Sequence, residues 1–464
     1  MIKFNIKKNW PFFLLLVLAC LTRFLFLNYP AEVVFDEVHF GKFVSSYFSQ
    51  QYYFDIHPPL GKLMIAGSAK ISGFQAGADF SNIGESIDKN ELFILRFLPA
   101  LFGVLFILLI YQLILLIGLS KKAAFLGAFL VLFDNAILTQ SKFILVDIFL
   151  LFFGFLSLYF FLLSKKESSF KKSFLFLGLG AVCAALSFSI KWTGLSFWAI
   201  IFFFTFINIL KSSTRERKKQ IISKLVLLII IPFLVYLSVF AIHFKILHKS
   251  GSGDDFMQPG FKKTLLGNKI EENIPPFSFW QKFIDLNEAM YRRNVELKKG
   301  HPDSSKWYQW PLGRKPIWYW MKNFDGKTAN IYFLGNFLIW WSVLLTVPLA
   351  SFFFLRKIFQ KRLSLVICLL LLGFFVNLLP FIFISRIVFL YHYLPSLTFG
   401  ILILVFLYDK FLTPLSEKAL FLYFGFLIAV FLVFLFLAPL TYGFPVSLGI
   451  DQIYNLFVKF LQGI

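Results

Sequence analysis

The chain has 464 residues, of which 58% are hydrophobic, 20% aromatic and only 15% charged, and its mean hydropathy is +0.76. These values lie far from the composition of water-soluble domains, so a soluble globular protein of this size is excluded. Apolar runs of about 20 residues recur along the chain, and each is long enough to cross the ~30 Å hydrocarbon layer as a helix, which predicts an all-α polytopic membrane protein.

Eleven apolar runs are predicted to cross the membrane. They cover residues 10–28, 93–118, 123–140, 144–163, 173–190, 193–210, 225–243, 331–355, 363–384, 387–408 and 419–438. The short segments on one side of these runs hold 21 Lys and Arg, whereas the connections near 140, 191 and 386 on the other side hold one each. By the positive-inside rule the net charge of +22 is mainly an orientation signal. We therefore expect a multi-pass membrane protein with a cytoplasmic N-terminus.

This orientation places two long polar segments, 29–92 and 244–330, on the outer face, where we expect the working parts. The chain then divides into an N-terminal membrane part, 1–243, with an outer catalytic loop at 29–92, an outer loop at 244–330, and a C-terminal four-helix-type membrane part, 331–464. Residues 450–464 have the apolar spacing of an amphipathic helix, which we expect in the outer interface.

Two adjacent carboxylates, Asp36 and Glu37, follow the first predicted crossing directly. Carboxylates at a membrane edge are costly to remove from water and need a reason to be there. One interpretation is structural, with Asp36 capping a helix that starts near Glu37. The other is catalytic: a carboxylate at the outer surface can take the proton from an acceptor hydroxyl that attacks a lipid-bound sugar. A phosphate leaving group then needs fixed positive charge beside it.

Several isolated cations lie at predicted outer ends of crossings, against the positive-inside bias. They are Arg96, Lys142, Lys191 and Arg386, with Lys62 in the first outer loop. A single Lys or Arg at such a position often only extends to the interface along the lipid. Their convergence on the face that holds the paired carboxylates favours a second hypothesis, in which they bind the phosphate of a lipid donor.

The second outer loop contains a dense aromatic block between His301 and Trp320, which includes Trp310. This block is either an interfacial aromatic belt or a wall for a sugar or acceptor peptide. The chain has no nucleotide-binding fingerprint and no HExxH pair, so a lipid-linked donor is favoured over a nucleotide sugar. No cofactor follows from the residues, and the use of a divalent metal stays open.

Several blocks, in this order, resemble the protein O-mannosyltransferase family. They are Phe35–Lys42, Phe54–Lys62, Leu95–Ala100, Phe133–Asn135, Thr139–Asp147, Lys191–Trp192, His301 with Ser304–Leu312, and Tyr391–Pro395. The resemblance implies a GT-C-type glycosyltransferase fold with about eleven transmembrane helices. It also implies an inverting enzyme that moves mannose from dolichyl-type polyprenyl-phosphate mannose to Ser or Thr hydroxyls of secreted or membrane proteins. The loop at 244–330 is too short for the β-trefoil MIR domain of eukaryotic members, so the resemblance implies the bacterial form, located in the plasma membrane.

Carried over residue by residue, the resemblance makes Asp36 the catalytic base with Glu37 beside it, and ties Arg96 and Lys191 to the lipid phosphate. We expect Lys142, Arg386 and Lys62 to assist in phosphate binding. The remaining substrate-binding candidates are aromatic or imidazole side chains: His39, His57, His301, Trp310, Tyr391 and His392.

Two alternative functions stay open at this point. One is a related GT-C transferase that moves another sugar from polyprenyl phosphate to a lipid or glycan. The other is a transporter or flippase for lipid-linked sugars, which is expected to carry internal repeats that the sequence lacks. The expected partners are the sugar donor, the protein acceptor and the lipid bilayer, and no nucleic acid.

Overall fold

The structure is a computed structural model that describes residues 6–463 except 271–272, 298–299, 360–363 and 412–416. Of the basic residues that set the predicted orientation, Lys3, Lys361 and Arg362 lie outside the described residues. The helices are α1 (Ile6–Phe24), α2 (Glu37–Ser49), α3 (Leu60–Ile71), α4 (Lys89–Leu116), α5 (Lys121–Leu132), α6 (Asn135–Lys142), α7 (Asp147–Lys166), α8 (Phe170–Phe188), α9 (Leu195–Leu210), α10 (Arg215–Ile246), α11 (Pro259–Lys262), α12 (Phe279–Glu296), α13 (Phe337–Phe359), α14 (Leu365–Leu378), α15 (Leu394–Phe411), α16 (Glu417–Tyr442) and α17 (Leu448–Gln462). The strands are β1 (Ile317–Phe324), β2 (Lys327–Phe333) and β3 (Val446–Ser447).

The predicted helical membrane architecture is confirmed, and each predicted crossing overlaps a helix, whereas the strands β1, β2 and β3 were not predicted. By length and composition, nine helices in the described ranges could cross a membrane, or ten if the bent pair α5–α6 is one span. The helix α1 contributes a shorter apolar stretch, Trp10–Phe24. The predicted number of eleven is therefore reached only when this short helix and the bent pair are both included.

The predicted crossing at 123–140 is not one straight helix, because Asp134 starts a new helix within it. The Asp134 side chain accepts a hydrogen bond from the Ile137 backbone N–H at 3.0 Å, as an N-cap does. The same carboxylate accepts from the Trp340 indole at 2.8 Å. The axis consequently bends by 60° between α5 and α6.

The two polar segments that were predicted to lie outside the membrane form a compact layer around one end of the bundle. The first holds α2 and α3, and the second holds α11, α12, a short 3-10 helix at Trp307–Leu312 and the β1–β2 hairpin. The hairpin is extended by β3, so that the antiparallel sheet has the order β1-β2-β3. The predicted helix near the C-terminus is confirmed as α17, whereas its place in the interface stays a prediction.

Backbone hydrogen bonds join these segments at the site described next. The Phe35 N–H donates to the Tyr319 carbonyl of β1 at 3.0 Å, and the Leu60 N–H donates to the Ser189 carbonyl, just before Lys191, at 3.1 Å. The start of α2 is thereby held next to β1, and the start of α3 next to the α8–α9 connection.

Candidate active site

Two cavities meet at the junction of these segments. The first, of about 550 Å³, is mostly apolar and is lined by residues of α9, α12 and α14 that include Ala199, Asn294 and Asn377, and by Trp192 just before α9. The second, of about 480 Å³, is more polar and contains Asp36 and His39 in its wall. The residues that border both cavities are His57, Lys191, Arg386 and His392. A ligand with an apolar tail and a polar head can therefore occupy both spaces, with its charged group at this junction.

Asp36 lies in the wall of the polar cavity with its carboxylate unbonded within the described part of the chain. It occupies the N-cap position of α2 but makes no side-chain capping hydrogen bond, so the purely structural interpretation of this residue is wrong. Phe35 precedes it with φ of +49°, a left-handed conformation that a bulky residue adopts only when its surroundings enforce it. Here the Phe35 ring stacks on the Tyr319 ring at a centroid distance of 4.0 Å.

Electrostatics prepares Asp36 to exchange a proton near neutral pH. Removal from water raises the pKa of Asp36 to about 6, and the neighbouring Asp147 and Asp55 act in the same direction. His39 and Lys191 oppose this increase because they stabilise the carboxylate. A carboxyl group with such a pKa suits general acid–base chemistry.

Glu37 and Arg96 form a closed, fully buried ion pair beneath the cavity. The Arg96 guanidinium donates to both Glu37 oxygens at 2.8 and 2.7 Å, and its other N–H groups reach the carbonyls of Leu27, Pro30 and Glu32. Each Glu37 oxygen also accepts a backbone N–H, from Val34 and Ile144. Since all five N–H donors of Arg96 are bonded, the expectation that Arg96 binds a donor phosphate is corrected, as is a catalytic contact by Glu37.

Lys191 lies at the junction of the cavities, at the end of the α8–α9 connection. Its ammonium donates to both oxygens of Asp147 at 2.8 and 2.9 Å. It also lies 4.9 Å from the centroid of the Tyr391 ring, which borders the polar cavity. The ion pair and the ring fix one positive charge where the two cavities join.

Arg386 and two imidazoles complete the junction. The Arg386 guanidinium is half-buried and makes no hydrogen bond or ion pair within the described residues. Burial lowers the pKa of Arg386 and lowers that of His57 well below its usual value. His57 is therefore a neutral imidazole that can accept or donate one hydrogen bond, next to an arginine that is free to bind an anion.

Two predicted phosphate ligands lie elsewhere. Lys62 is buried, pairs with Asp55 and donates to the His57 carbonyl at 2.9 Å, so it supports the loop and is not part of the cavity lining. Lys142 is fully buried beside the Tyr442 ring at 4.0 Å and donates to the Phe26 carbonyl at 3.2 Å. These positions correct the expectation that both contact the donor.

The predicted substrate-binding residues divide into lining and supporting groups. His39, His57, Tyr391 and His392 line the polar cavity. His301 is exposed and packs edge-on against the Phe389 ring at 5.2 Å. Trp310 is fully buried, donates to the Ser305 hydroxyl at 2.9 Å and stacks behind His392, so the idea that it forms a sugar-facing wall is corrected.

Sequence reasoning missed Asp147 as a site residue, although it lies in a block that carried the family resemblance. The sequence does contain a feature that could have identified it: Asp147 is a single acidic residue among apolar residues near the start of a predicted crossing. In the described ranges, no three His, Cys, Asp or Glu side chains lie close enough together to hold a metal ion. We therefore assign no metal site.

Family comparisons identify the same relationship as the sequence blocks. Residues 13–248 match the family model described as dolichyl-phosphate-mannose-protein mannosyltransferase, and residues 279–458 match the C-terminal four-transmembrane region of protein-O-mannosyltransferase. The dolichyl-phosphate-mannose–protein mannosyltransferase 1 of Saccharomyces cerevisiae is 36% identical over 279 residues, which cover 56% of this chain and 33% of the yeast protein. The chain spans about a third of the length of the curated relatives it matches.

Solved structures show the same fold. The protein O-mannosyltransferase Pmt1-Pmt2 complex of S. cerevisiae, bound to the sugar donor, superposes with a TM-score of 0.89 at 22% identity and covers 99% of this chain and 93% of the yeast chain. The archaeal oligosaccharyltransferase AglB of Archaeoglobus fulgidus gives a TM-score of 0.56 at 13% identity, over 98% of this chain and 60% of the archaeal one. The GT-C-type fold expected from the sequence is thus confirmed.

Proposed function

The chain belongs to the protein O-mannosyltransferase family, and we propose that it transfers mannose from a polyprenyl-phosphate-mannose donor to Ser or Thr hydroxyls of proteins. The observation that carries this proposal is the pair of cavities joined at Lys191 and Arg386, with Asp36 on one side and an apolar space on the other. This arrangement suits a donor that combines a long hydrocarbon chain, a phosphate and a sugar.

In this proposal each part of the donor lies where its polarity matches the surrounding residues. Its hydrocarbon chain lies in the apolar cavity, since burial of apolar surface is favourable there. Its phosphate lies between Lys191 and Arg386, where fixed cations stabilise the charge that develops as the phosphate departs. The mannose then projects into the polar cavity, towards Asp36, and His57 and His392 are within the lining that surrounds it.

The transfer step uses Asp36 as the general base. An acceptor Ser or Thr enters the polar cavity, and the Asp36 carboxylate takes the proton of its hydroxyl while the oxygen attacks the anomeric carbon of mannose. The bond between this carbon and the phosphate oxygen breaks, and polyprenyl phosphate leaves with the electron pair. Because the oxygen attacks the face opposite the phosphate, a single displacement inverts the anomeric centre.

The charge distribution of the chain supports a location of the reaction at the outer face of the membrane. Among the described residues, the basic segments that join α7 to α8 and α9 to α10 lie at the ends of α7, α8 and α9 opposite to Asp147 and Lys191, and short basic segments stay in the cytoplasm. The cavities then open at the outer face of the plasma membrane, which is where translocated acceptor proteins emerge.

The test is transfer by the purified, membrane-reconstituted protein from polyprenyl-phosphate mannose to a Ser/Thr-rich peptide. We expect a mannosylated peptide whose linkage, read with anomer-specific mannosidases, is opposite to that of the donor. A mannosylated lipid without a mannosylated peptide would favour the related lipid-directed transferase. Movement of the donor across the vesicle without any transfer would favour a transporter.

A further inference from the structure

We propose that Asp147 is a positioning residue, which holds Lys191 at the junction of the two cavities where the donor phosphate binds. This proposal rests on the proposed role of Lys191 in phosphate binding. It extends that role to an acidic residue which the reaction itself does not use.

The contact between the two residues is close and largely shielded from water. Both carboxylate oxygens of Asp147 accept from the Lys191 ammonium, at 2.8 and 2.9 Å, and the side chains are only 15% and 8% exposed. An ammonium group has three N–H donors. Two of them are used by Asp147, so one is left to point at a ligand phosphate.

The backbone around Asp147 is fixed by the same residue that fixes Asp36. Asp147 opens α7 directly after a buried bend at 143–146. Within this bend, the Ile144 N–H donates to Glu37 Oε1 at 2.9 Å, and Glu37 is the chain neighbour of Asp36. One carboxylate thus ties together the segment that carries the proposed base and the segment that carries Asp147.

Close packing leaves this bend little freedom to shift. Gly61 of α3 lies against Val146 so tightly that a Cβ at this position would come within 2.7 Å of the Val146 side chain. Val146 is itself buried. The distance between the proposed base and the phosphate-binding ammonium is therefore determined by a rigid, dry framework and not by a mobile loop.

Asp147 also influences the charge that Asp36 experiences. The groups that act on the pKa of Asp36 are His39 of α2, Lys191, Asp147 of α7 and Asp55 ahead of α3. Lys191 lowers this pKa and Asp147 raises it. In Asp147→Asn these two effects oppose each other, because loss of the carboxylate lowers the pKa of Asp36 while displacement of the Lys191 ammonium raises it.

A double-mutant cycle on the full-length protein tests the proposal, with Asp147→Asn, Lys191→Met and the double variant assayed for mannosyl transfer at varied donor concentration. We expect Asp147→Asn to raise the donor KM by about tenfold to a hundredfold, the scale for a misplaced binding group. In the Lys191→Met background the same change should have little further effect, because Asp147 acts through Lys191. We expect kcat to change less than the donor KM in Asp147→Asn, because Asp36, the proposed base, is unaltered. Asp255→Asn, at a carboxylate that is 98% exposed, is the control.

Additive effects of the two substitutions, or an unchanged donor KM in Asp147→Asn, would overturn the proposal. If Asp147→Asn does not fold, Asp147→Glu is the alternative variant. It keeps the negative charge but shifts the Lys191 ammonium by about the length of one methylene group. A raised donor KM at unchanged melting temperature then supports the proposal, and an unchanged KM overturns it. Failure of the proposed function looks different, since the wild-type protein would then transfer no mannose or Asp36→Asn would stay active.

Discussion

The carboxylates of Asp36 and Glu37, adjacent in the chain, lie in opposite environments. Asp36 faces the polar cavity without a hydrogen-bond partner among the described residues, while Glu37 is fully buried and accepts four hydrogen bonds, two of them from Arg96. The first can exchange a proton with a substrate, and the second keeps the backbone of the first in place. Neighbouring acidic residues therefore have different predicted consequences when they are replaced.

Replacement of Asp36 by Asn should abolish catalysis and preserve the fold. The amide is nearly the same size but cannot accept the acceptor proton, and loss of a general base typically costs 10²–10⁴-fold in rate. Transfer from polyprenyl-phosphate mannose to the peptide should fall by about that factor, with an unchanged elution volume on size exclusion. A variant with full activity would remove Asp36 from the mechanism.

The activity of the wild-type protein should fall as the pH falls through about 6. The base must be ionised, and at one unit below the Asp36 pKa of about 6 only about a tenth of the molecules carry it in that form. The stability contribution has the opposite sign. Since the folded-state pKa is raised above 3.8, the folded state binds more protons between 3.8 and about 6, and the stabilisation is lost as the pH rises through this window.

These two trends can be separated by measuring kcat/KM and thermal unfolding across the same buffers. Asp36→Asn should be at least as stable as the wild type at pH 7, because it carries no charge that must be desolvated. An acidic limb of the pH profile well below pH 5 would contradict the assignment.

Glu37→Ala should have the reverse effect, with loss of the folded protein. It leaves the Arg96 guanidinium buried and without its carboxylate, and breaking a buried ion pair in this way costs about 3–5 kcal/mol. The melting temperature in detergent should drop strongly, and activity should fall in proportion to the folded fraction. A Glu37→Ala protein with the melting temperature of the wild type would contradict this structural role.

The sequence is sufficient to identify the ionisable residues that lie at the ends of predicted membrane crossings. It does not show which of these side chains face the cavity. Asp36, Lys191 and Arg386 were expected near one another, and all three line the polar cavity. Glu37 and Arg96 are 59 positions apart and look like two free charges until folding pairs them. Whether an ionisable residue binds a ligand or another residue depends on this long-range pairing, which local patterns do not encode.

The same limit explains the aromatic block and the bent helix. Trp310 belongs to a cluster that is typical of interfaces, yet it is buried inside the protein, because its ring packs against Phe381 and His392. Asp134 lies in an apolar run whose hydropathy predicts a single crossing, although its carboxylate caps a new helix, α6. Hydropathy predicts the presence of an apolar helix and does not report a change in its direction.

Arg386→Gln should weaken donor binding without affecting the fold. The Arg386 guanidinium has no hydrogen-bond partner in the described part of the chain, so its loss leaves no partner unpaired. A hydrogen bond to a charged group contributes about 1.5–3 kcal/mol, so the donor KM should rise by about 10- to 100-fold. Arg292→Gln removes an exposed charge from α12, outside the lining of both cavities, and serves as the control. An equal KM in the two variants would exclude Arg386 from phosphate binding.

Ala199→Trp should discriminate between donors by the length of their hydrocarbon chain. Ala199 lies on α9 and lines the apolar cavity, and its exposed methyl group leaves space that an indole would fill. A long polyprenyl chain then loses apolar surface burial, whereas a donor with a chain of one or two isoprene units loses little. We expect the kcat/KM for a long-chain donor, divided by that for a short-chain donor, to fall at least about tenfold. Loss of several buried methylene groups, at ~0.8 kcal/mol each, would produce a change of this size. Phe203→Trp, one turn further along α9 and outside this lining, is the matched control, and an equal ratio in both variants would place the donor chain elsewhere.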